Sequence, residues 1–283
     1  WSVPNKLEYG TPSEPGDFAK SAAISGDTLV LGAWSSSAAP GNVQVFVKVA
    51  GQWLHQATLT AAGATGGFGV GVAVAGDEIA VGDDGADIVT LYRRQNGVWT
   101  QVQQLAPTVP LAGSRYGESV AIEGNLLAVG RPYFPSFQSR KGSVHVYQRA
   151  DAASPWVEAT RFDMLDGGAF PELGYPIEIS GGRIVAGAPY YQIANNSIYE
   201  RRVGAAVVLE QVGGNWTHQL LLPSNPAETG LFGVGLAIQG DRLLVGAPGA
   251  AGDRVYSFAR GAEQWVETQQ LSQPGNGESG WSL

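Results

Sequence analysis

Three glycines recur in this chain with a spacing that no insertion disturbs. The first stands at Gly69, Gly117, Gly174 and Gly233, with Ala19 in the earliest copy. Seven residues on come Gly26, Gly76, Gly124, Gly181 and Gly240, and six further on Gly32, Gly82, Gly130, Gly187 and Gly246. A second beat is set by tryptophan, at Trp1, Trp53, Trp99, Trp156, Trp216 and Trp265. An apolar residue follows each six positions later: Leu7, Leu59, Leu105, Phe162, Leu222 and Leu271. Repeats at about this period build solenoids, propellers or arrays, and the intervals of 52, 46, 57, 60 and 49 residues suit one four-stranded sheet per copy.

The fifth copy shows the unit most plainly. "FGVGLAI" alternates apolar and small residues as a strand, and "QGD" supplies a glycine for a two-residue hairpin. "RLLVGAP" reads as a second strand stopped by proline, "RVYSF" as a third, and "QWVETQQL" as a polar outer strand beginning at a packed tryptophan. Four strands joined by short reversals make an antiparallel meander whose two faces are buried by radial stacking of neighbouring copies. The expected fold is all-β, a β-propeller forming a single domain over 1–283. Its repeats run at 18–59, 68–105, 116–162, 173–222 and 232–271. Residues 1–7 read as a fourth strand and 279–283 as the start of a first strand, so a six-bladed ring with a partial sixth blade is expected, a five-bladed ring being the alternative. The start at Trp1 suggests a processed piece.

These segments resemble the FG-GAP repeat family, whose members include the integrin α-subunit propeller. The carriers are "FGVG…VGAP" (Phe232 to Pro248), "FGVG…VGDD" (Phe68 to Asp84), "YGES…VGRP" (Tyr116 to Pro132), "LGYP…AGAP" (Leu173 to Pro189) and, most loosely, "FAKS…LGAW" (Phe18 to Trp34). Many members bind calcium in an acidic loop between the first two strands. Here that loop has shrunk to "SGD", "AGD", "EGN", "SGG" and "QGD", whereas calcium takes about six to eight oxygens. No cofactor is expected, and calcium only outside integrin-type loops.

The resemblance implies an extracellular, secreted or cell-surface module for adhesion or another protein contact. Two long excursions, "RPYFPSFQSRKG" (Arg131 to Gly142) and "APYYQIANNSIYERRVG" (Ala188 to Gly204), fall after second strands, on the face that carries ligand contacts in integrins. They and the matching loop of the first copy nominate Trp34, Tyr133, Phe134, Phe137, Arg140, Tyr190, Tyr191, Tyr199 and Arg201 as partner-binding residues, because aromatics on polar loops usually meet something. The alternative is that the two loops pack on each other and bury these rings. Asp83, Asp84 and Asp87 are weak metal candidates in "VGDDGAD", and Asn195 and Asn215 begin glycosylation sequons.

Other classes of function fit less well. A net charge of −8 opposes a nucleic-acid partner, and the absence of cysteine removes thiol catalysis and thiolate metal sites. No apolar run approaches the roughly 18 residues of a membrane span. His55 and His218 fall on outer strands, and His145 lies in a third strand where spacing suggests no acid beside it, so no catalytic residue is nominated and the protein is not expected to be an enzyme. A carbohydrate-binding lectin is the second reading. A polysaccharide-acting enzyme using paired carboxylates is the third.

Overall fold

Each glycine–tryptophan copy folds as one four-stranded antiparallel sheet in the computed structural model, which describes residues 16–35, 39–110, 113–133, 141–165, 171–193, 201–225, 230–249 and 253–273. The first sheet contains β1 (Gly16–Ser25), β2 (Thr28–Ser35), β3 (Asn42–Val49) and β4 (Gln52–Leu59). The second contains β5 (Phe68–Ala75), β6 (Glu78–Asp83), β7 (Ile88–Gln95) and β8 (Val98–Leu105). The third contains β9 (Val120–Glu123), β10 (Leu126–Arg131), β11 (Ser143–Gln148) and β12 (Val157–Asp163). The fourth starts with β13 (Ile177–Ser180) and β14 (Arg183–Ala188). A two-stranded ribbon, β15 (Gln192–Ile193) with β16 (Arg201–Arg202), then precedes β17 (Ala205–Val212) and β18 (Asn215–Leu221). The fifth contains β19 (Gly235–Gln239), β20 (Arg242–Ala247), β21 (Asp253–Arg260) and β22 (Trp265–Gln273). The all-β expectation holds, with no helix among the described residues.

The chain divides into two compact units, Trp1–Pro110 with the first two sheets and Leu111–Leu283 with the other three. In the first unit, Val30, Val43, Val45 and Leu59 pack against Phe68, Val72, Val74 and Ile79 of the next sheet. In the second, one core joins β9–β12 residues such as Val144 and Val146 to Leu173, Ile184 and Val207, and another joins Val208 and Leu221 to Phe232, Leu243 and Phe258.

The fixed glycine spacing has a mechanical cause. The first glycine of each copy sits at positive φ, as at Gly69 (φ 92°), where the β5–β6 register shifts between Phe68 and Val72. That backbone form favours glycine. Its amide closes the copy onto the third glycine: Gly117 to Gly130, Gly174 to Gly187 and Gly233 to Gly246 are each hydrogen-bonded at 2.9 Å. Its carbonyl, in turn, abuts the third glycine of the preceding copy. A Cβ on Gly32, Gly130 or Gly187 would lie 2.0 Å from the carbonyl oxygen of Gly69, Gly174 or Gly233 respectively. Neighbouring sheets therefore touch backbone to backbone at this level. An insertion between first and third glycine would break both contacts.

Other links between consecutive copies repeat as well. Ser25 accepts from the Gly76 amide (3.1 Å), Glu123 from Gly181 and Gly182 (3.1 and 2.9 Å), and Ser180 from Gly240 (3.1 Å). On the outer strands, Trp99 Nε1 donates to Gln56 (2.8 Å), and Gln219 bonds the Trp265 backbone both ways, accepting from its amide at 2.7 Å and donating to its carbonyl at 2.9 Å.

The tryptophan beat marks the start of each fourth strand, and Trp99, Trp156 and Trp265 are buried there. Cations in or just after the adjoining third strand cover three of the rings: Lys48 over Trp53, Arg94 over Trp99 and Arg149 over Trp156. The apolar partner six residues later is correct at the buried Leu59 and Leu105, but not in the fourth copy. There Leu222 is exposed and Leu221 is buried. Third and fourth strands are offset by a bulge in the other four sheets, whereas β17–β18 pairs without one, so the inward position comes one residue sooner. Leu271 is also exposed.

Candidate functional site

Loops of the third and fourth copies carry a cluster of guanidinium groups and aromatic rings in the second unit. Arg115, two residues before Gly117, has φ 58°, an uncommon backbone form for a side-chain-bearing residue that tends to be kept at functional sites. Glu172, one repeat on, repeats it with φ 55°. Arg115 pairs with Glu118 at 2.6 Å, and the side chains are 35% and 10% exposed, so the cation is the outward member. The same guanidinium covers the Tyr133 ring at 4.9 Å, and the Tyr133 amide donates to Ser114 (3.2 Å), tying the loop after β10 to the loop before β9.

Tyr175 stands in the fourth copy where the third has Glu118, and its side of the cluster is open, with 45% exposure. Partial burial raises its phenol pKa, Glu118 adds to the rise and Arg115 opposes it, with a further upward contribution from Tyr190. Tyr190 lies partly buried beneath the exposed Arg202, whose guanidinium is 5.7 Å from the ring centre. Arg202 is held by the β15–β16 ribbon through its pairing with Gln192.

Of the residues nominated for a partner, Tyr133 and Tyr190 lie in this cluster. Tyr191 does not. It is buried in the core with Val203 and Ala205, because its carbonyl accepts the Val203 and Gly204 amides (2.9 and 3.0 Å) and turns the residue inward at the ribbon's base. Trp34 belongs to β2 of the first unit, under the Lys20 ammonium at 4.4 Å. Phe134, Phe137, Arg140, Asn195 and Tyr199 lie outside the described residues, as does the Arg201 side chain. Sequence reasoning passed over Arg115, Glu118 and Tyr175. The available signal was that Glu118 and Tyr175 occupy the slot held by Val70 and Val234 in the best-matching copies.

Of the acids of "VGDDGAD", Asp83 has a structural role. Asp83 is buried, accepts the Thr65 amide (2.7 Å) and hydroxyl, and also accepts the Ala86 amide (3.1 Å). It clasps the loop after β6 to the loop before β5. Asp87 takes φ 54° in that loop, and among the described residues no three acidic or histidine side chains gather as metal ligands. Asp83→Ala is expected to cost about 2 kcal/mol, since it removes a buried acceptor and strands the partly buried Thr65 and Ala86 amides. Millimolar calcium is expected to leave the melting temperature of the native chain unchanged, and calorimetry checks both.

Beneath the third copy's loops lies a buried polar chain. Tyr116 and Tyr147 share a hydroxyl hydrogen bond of 2.7 Å, and the Tyr116 ring meets His145 edge-on at 5.2 Å. His145 Nδ1 lies 2.7 Å from Glu158 Oε1, and its Nε2 lies 3.3 Å from Ser143 Oγ. The expectation that His145 lacks an acidic neighbour is therefore wrong. The β11–β12 register shifts between Val146 and Tyr147, which puts Glu158 opposite Tyr147 and within reach of His145. The His145 hydrogen bond holds the Glu158 carboxyl below its ordinary range, while burial pushes the Tyr147 phenol up to about 12. Serine, histidine and glutamate stand in the order of a hydrolytic relay, but Ser143 and His145 are 2% and 0% exposed. Other copies place Gln44, Thr90 and Tyr256 at the His145 position, each buried and hydrogen-bonded to its fourth strand, so this chain is the charged version of a repeated internal tie.

Comparison with known proteins agrees with this architecture. Residues 99–147, from Trp99 in β8 to Tyr147 in β11, match the FG-GAP repeat family. No curated protein matches the chain. Among solved structures, a protein from Lactobacillus plantarum is 16% identical with a TM-score of 0.56, covering 89% of this chain and 70% of its own. Two others are described as putative 6-phosphogluconolactonases. The one from Bacteroides uniformis is 9% identical with a TM-score of 0.58 (90% and 72% covered), and the one from Bacteroides fragilis is 11% identical with a TM-score of 0.57 (88% and 68% covered). Such identities show a shared fold and nothing of activity. The chain thus carries an FG-GAP repeat over residues 99–147, within five four-stranded antiparallel sheets consistent with a β-propeller fold.

Proposed function

We propose that this chain is a non-enzymatic interaction module, extracellular or cell-surface, that binds a protein partner through the Arg115–Tyr133–Tyr175–Tyr190–Arg202 cluster. One observation carries the reading: rings and guanidinium groups are displayed together on loops, with a strained backbone at Arg115. Tyrosine and arginine, with tryptophan, are the residues that most often dominate protein interfaces. Sealing of the Ser143–His145–Glu158 chain favours binding over catalysis. The exposed Asn215 sequon at the start of β18 suits a secreted protein. Sugar binding is the alternative for the same rings.

The blade count belongs to the same reading. We infer a single propeller domain closing as a six-bladed ring. Ile24 is 63% exposed where its counterpart Val74, covered by the preceding sheet, is 8% exposed, which supports a further blade against the first sheet. Residues 1–7 and 279–283 have the patterns of its outer and inner strands.

A photo-crosslinking amino acid at Tyr175 or Tyr190 tests the proposal, with one at the exposed Val98 of β8 as control. Incubated with extracellular extract of the source, the Tyr175 and Tyr190 chains are expected to yield a discrete protein adduct that the Val98 chain does not. Adducts of equal yield from all three sites, or none from the two tyrosines, would count against the cluster. Capture of glycan alone would favour the lectin reading.

A further inference from the structure

We infer that the partner segment taken by this cluster is an acidic polypeptide, one whose aspartate or glutamate carboxylates are received by Arg115 and Arg202; this inference rests on the reading of the cluster as a protein-binding site. The chain as a whole carries 25 acids against 17 lysines and arginines, so its general surface repels such a partner. In the cluster the more exposed charges are the cationic ones. In the Arg115–Glu118 pair the carboxylate is the buried member at 10% exposure and the guanidinium the open one at 35%. Glu172, the other described acid on these loops, is partly buried, whereas Arg202 is exposed.

The chemistry of the two arginines points the same way. Each guanidinium lies against a tyrosine ring, at 4.9 Å for Arg115 over Tyr133 and 5.7 Å for Arg202 over Tyr190. A ring against one face of the guanidinium limits side-chain motion yet leaves in-plane N–H groups to meet a carboxylate, commonly with two parallel hydrogen bonds. A preorganised arginine loses less entropy on binding than a free one. Tyr175, 45% exposed, supplies apolar area and a hydroxyl within electrostatic reach of Glu118 and Arg115. Aromatic area with two braced cations suits an extended chain bearing carboxylates beside apolar residues.

Panning a random dodecapeptide phage library on the full chain tests this. Enriched sequences are expected to carry net negative charge with aspartate or glutamate next to an apolar residue. The best synthetic peptide should bind about tenfold or more weakly to Arg202→Glu and to Arg115→Asn, asparagine being tolerant of the positive φ. Binding should also fall about tenfold between roughly 50 and 500 mM salt. Lys48→Glu, in the first unit, should leave it unchanged. Enrichment of neutral or basic peptides, no enrichment over the Arg202→Glu chain, or retention of a sulfated polysaccharide without any acidic peptide would overturn the inference. A Tyr175 crosslink that survives Arg202→Glu and high salt would sink the acidic partner while sparing the site. Absence of any crosslink would remove the site itself.

Discussion

Gly187→Ala is expected to lower the melting temperature of the Leu111–Leu283 unit by about 10 °C or more, a loss of at least about 4 kcal/mol at roughly 2–4 °C per kcal/mol. The new methyl would stand 2.0 Å from the Gly233 carbonyl oxygen and 2.9 Å from both the Tyr175 carbonyl oxygen and Pro176 Cδ. Two of the three obstacles are backbone, so no rotamer change relieves them. The sheets must separate, and with them goes the packing of Val185, Ala206 and Val208 against Phe232 and Leu243. Gly187 itself is not at positive φ, so alanine meets no conformational objection there and the loss is purely steric. Gly76→Ala is the contrasting variant. Its Cβ would meet nothing within 4 Å, leaving only the strain of φ 58°, about 1–2 kcal/mol. Calorimetry of the two variants would separate close approach between sheets from turn geometry. Equal losses would refute the account of the glycine spacing given above.

Glu158→Gln is expected to destabilise the chain by about 2–3 kcal/mol at neutral pH, and to do so less as the solution is acidified. Glu158 sits below its ordinary value of 4.5 in the folded protein, chiefly through the His145 hydrogen bond. A carboxylate with a lowered folded-state pKa contributes its full stabilisation above that ordinary value and loses it as pH falls through the folded value. Urea unfolding of the native chain should therefore weaken as pH falls below the ordinary carboxyl value of 4.5, while the glutamine variant follows a flatter curve, and the two should draw together on further acidification. His145→Ala should cost more, about 3–5 kcal/mol, since it opens a void and leaves the Glu158 carboxylate without its ring partner. In a double-mutant cycle the two losses should overlap by about 1–3 kcal/mol. Parallel pH curves or simple additivity would show that the pair is not the tie described here.

Much of the molecule was open to reading because its determinants are local and repeated. A glycine at positive φ, a two-residue hairpin and a tryptophan at the head of an outer strand are each satisfied within a few residues, and five copies in phase make them visible. Hairpin positions such as Gly26, Gly76, Gly124 and Gly240 carry the positive φ that their turns need. The first-strand alternation likewise told which face is buried, as at Val72 and Val74.

The functional cluster was less legible. Tyr190 and Tyr191 are adjacent and chemically identical, and only the ribbon's hydrogen bonds decide that one faces Arg202 while the other enters the core. Glu158 reaches His145 through a single-residue bulge, an offset that spacing along the chain does not reveal. Arg115 and Tyr175 lie far apart in sequence, and other copies place valine at the Tyr175 position, as at Val70 and Val234. What the sequence determined by itself was the repeating sheet, because strand, turn and bulge preferences act between near neighbours. Only the tertiary structure decided which charges and rings meet, because side chains from different sheets are brought together by packing between copies, and shifting the register by one residue exchanges inside for outside.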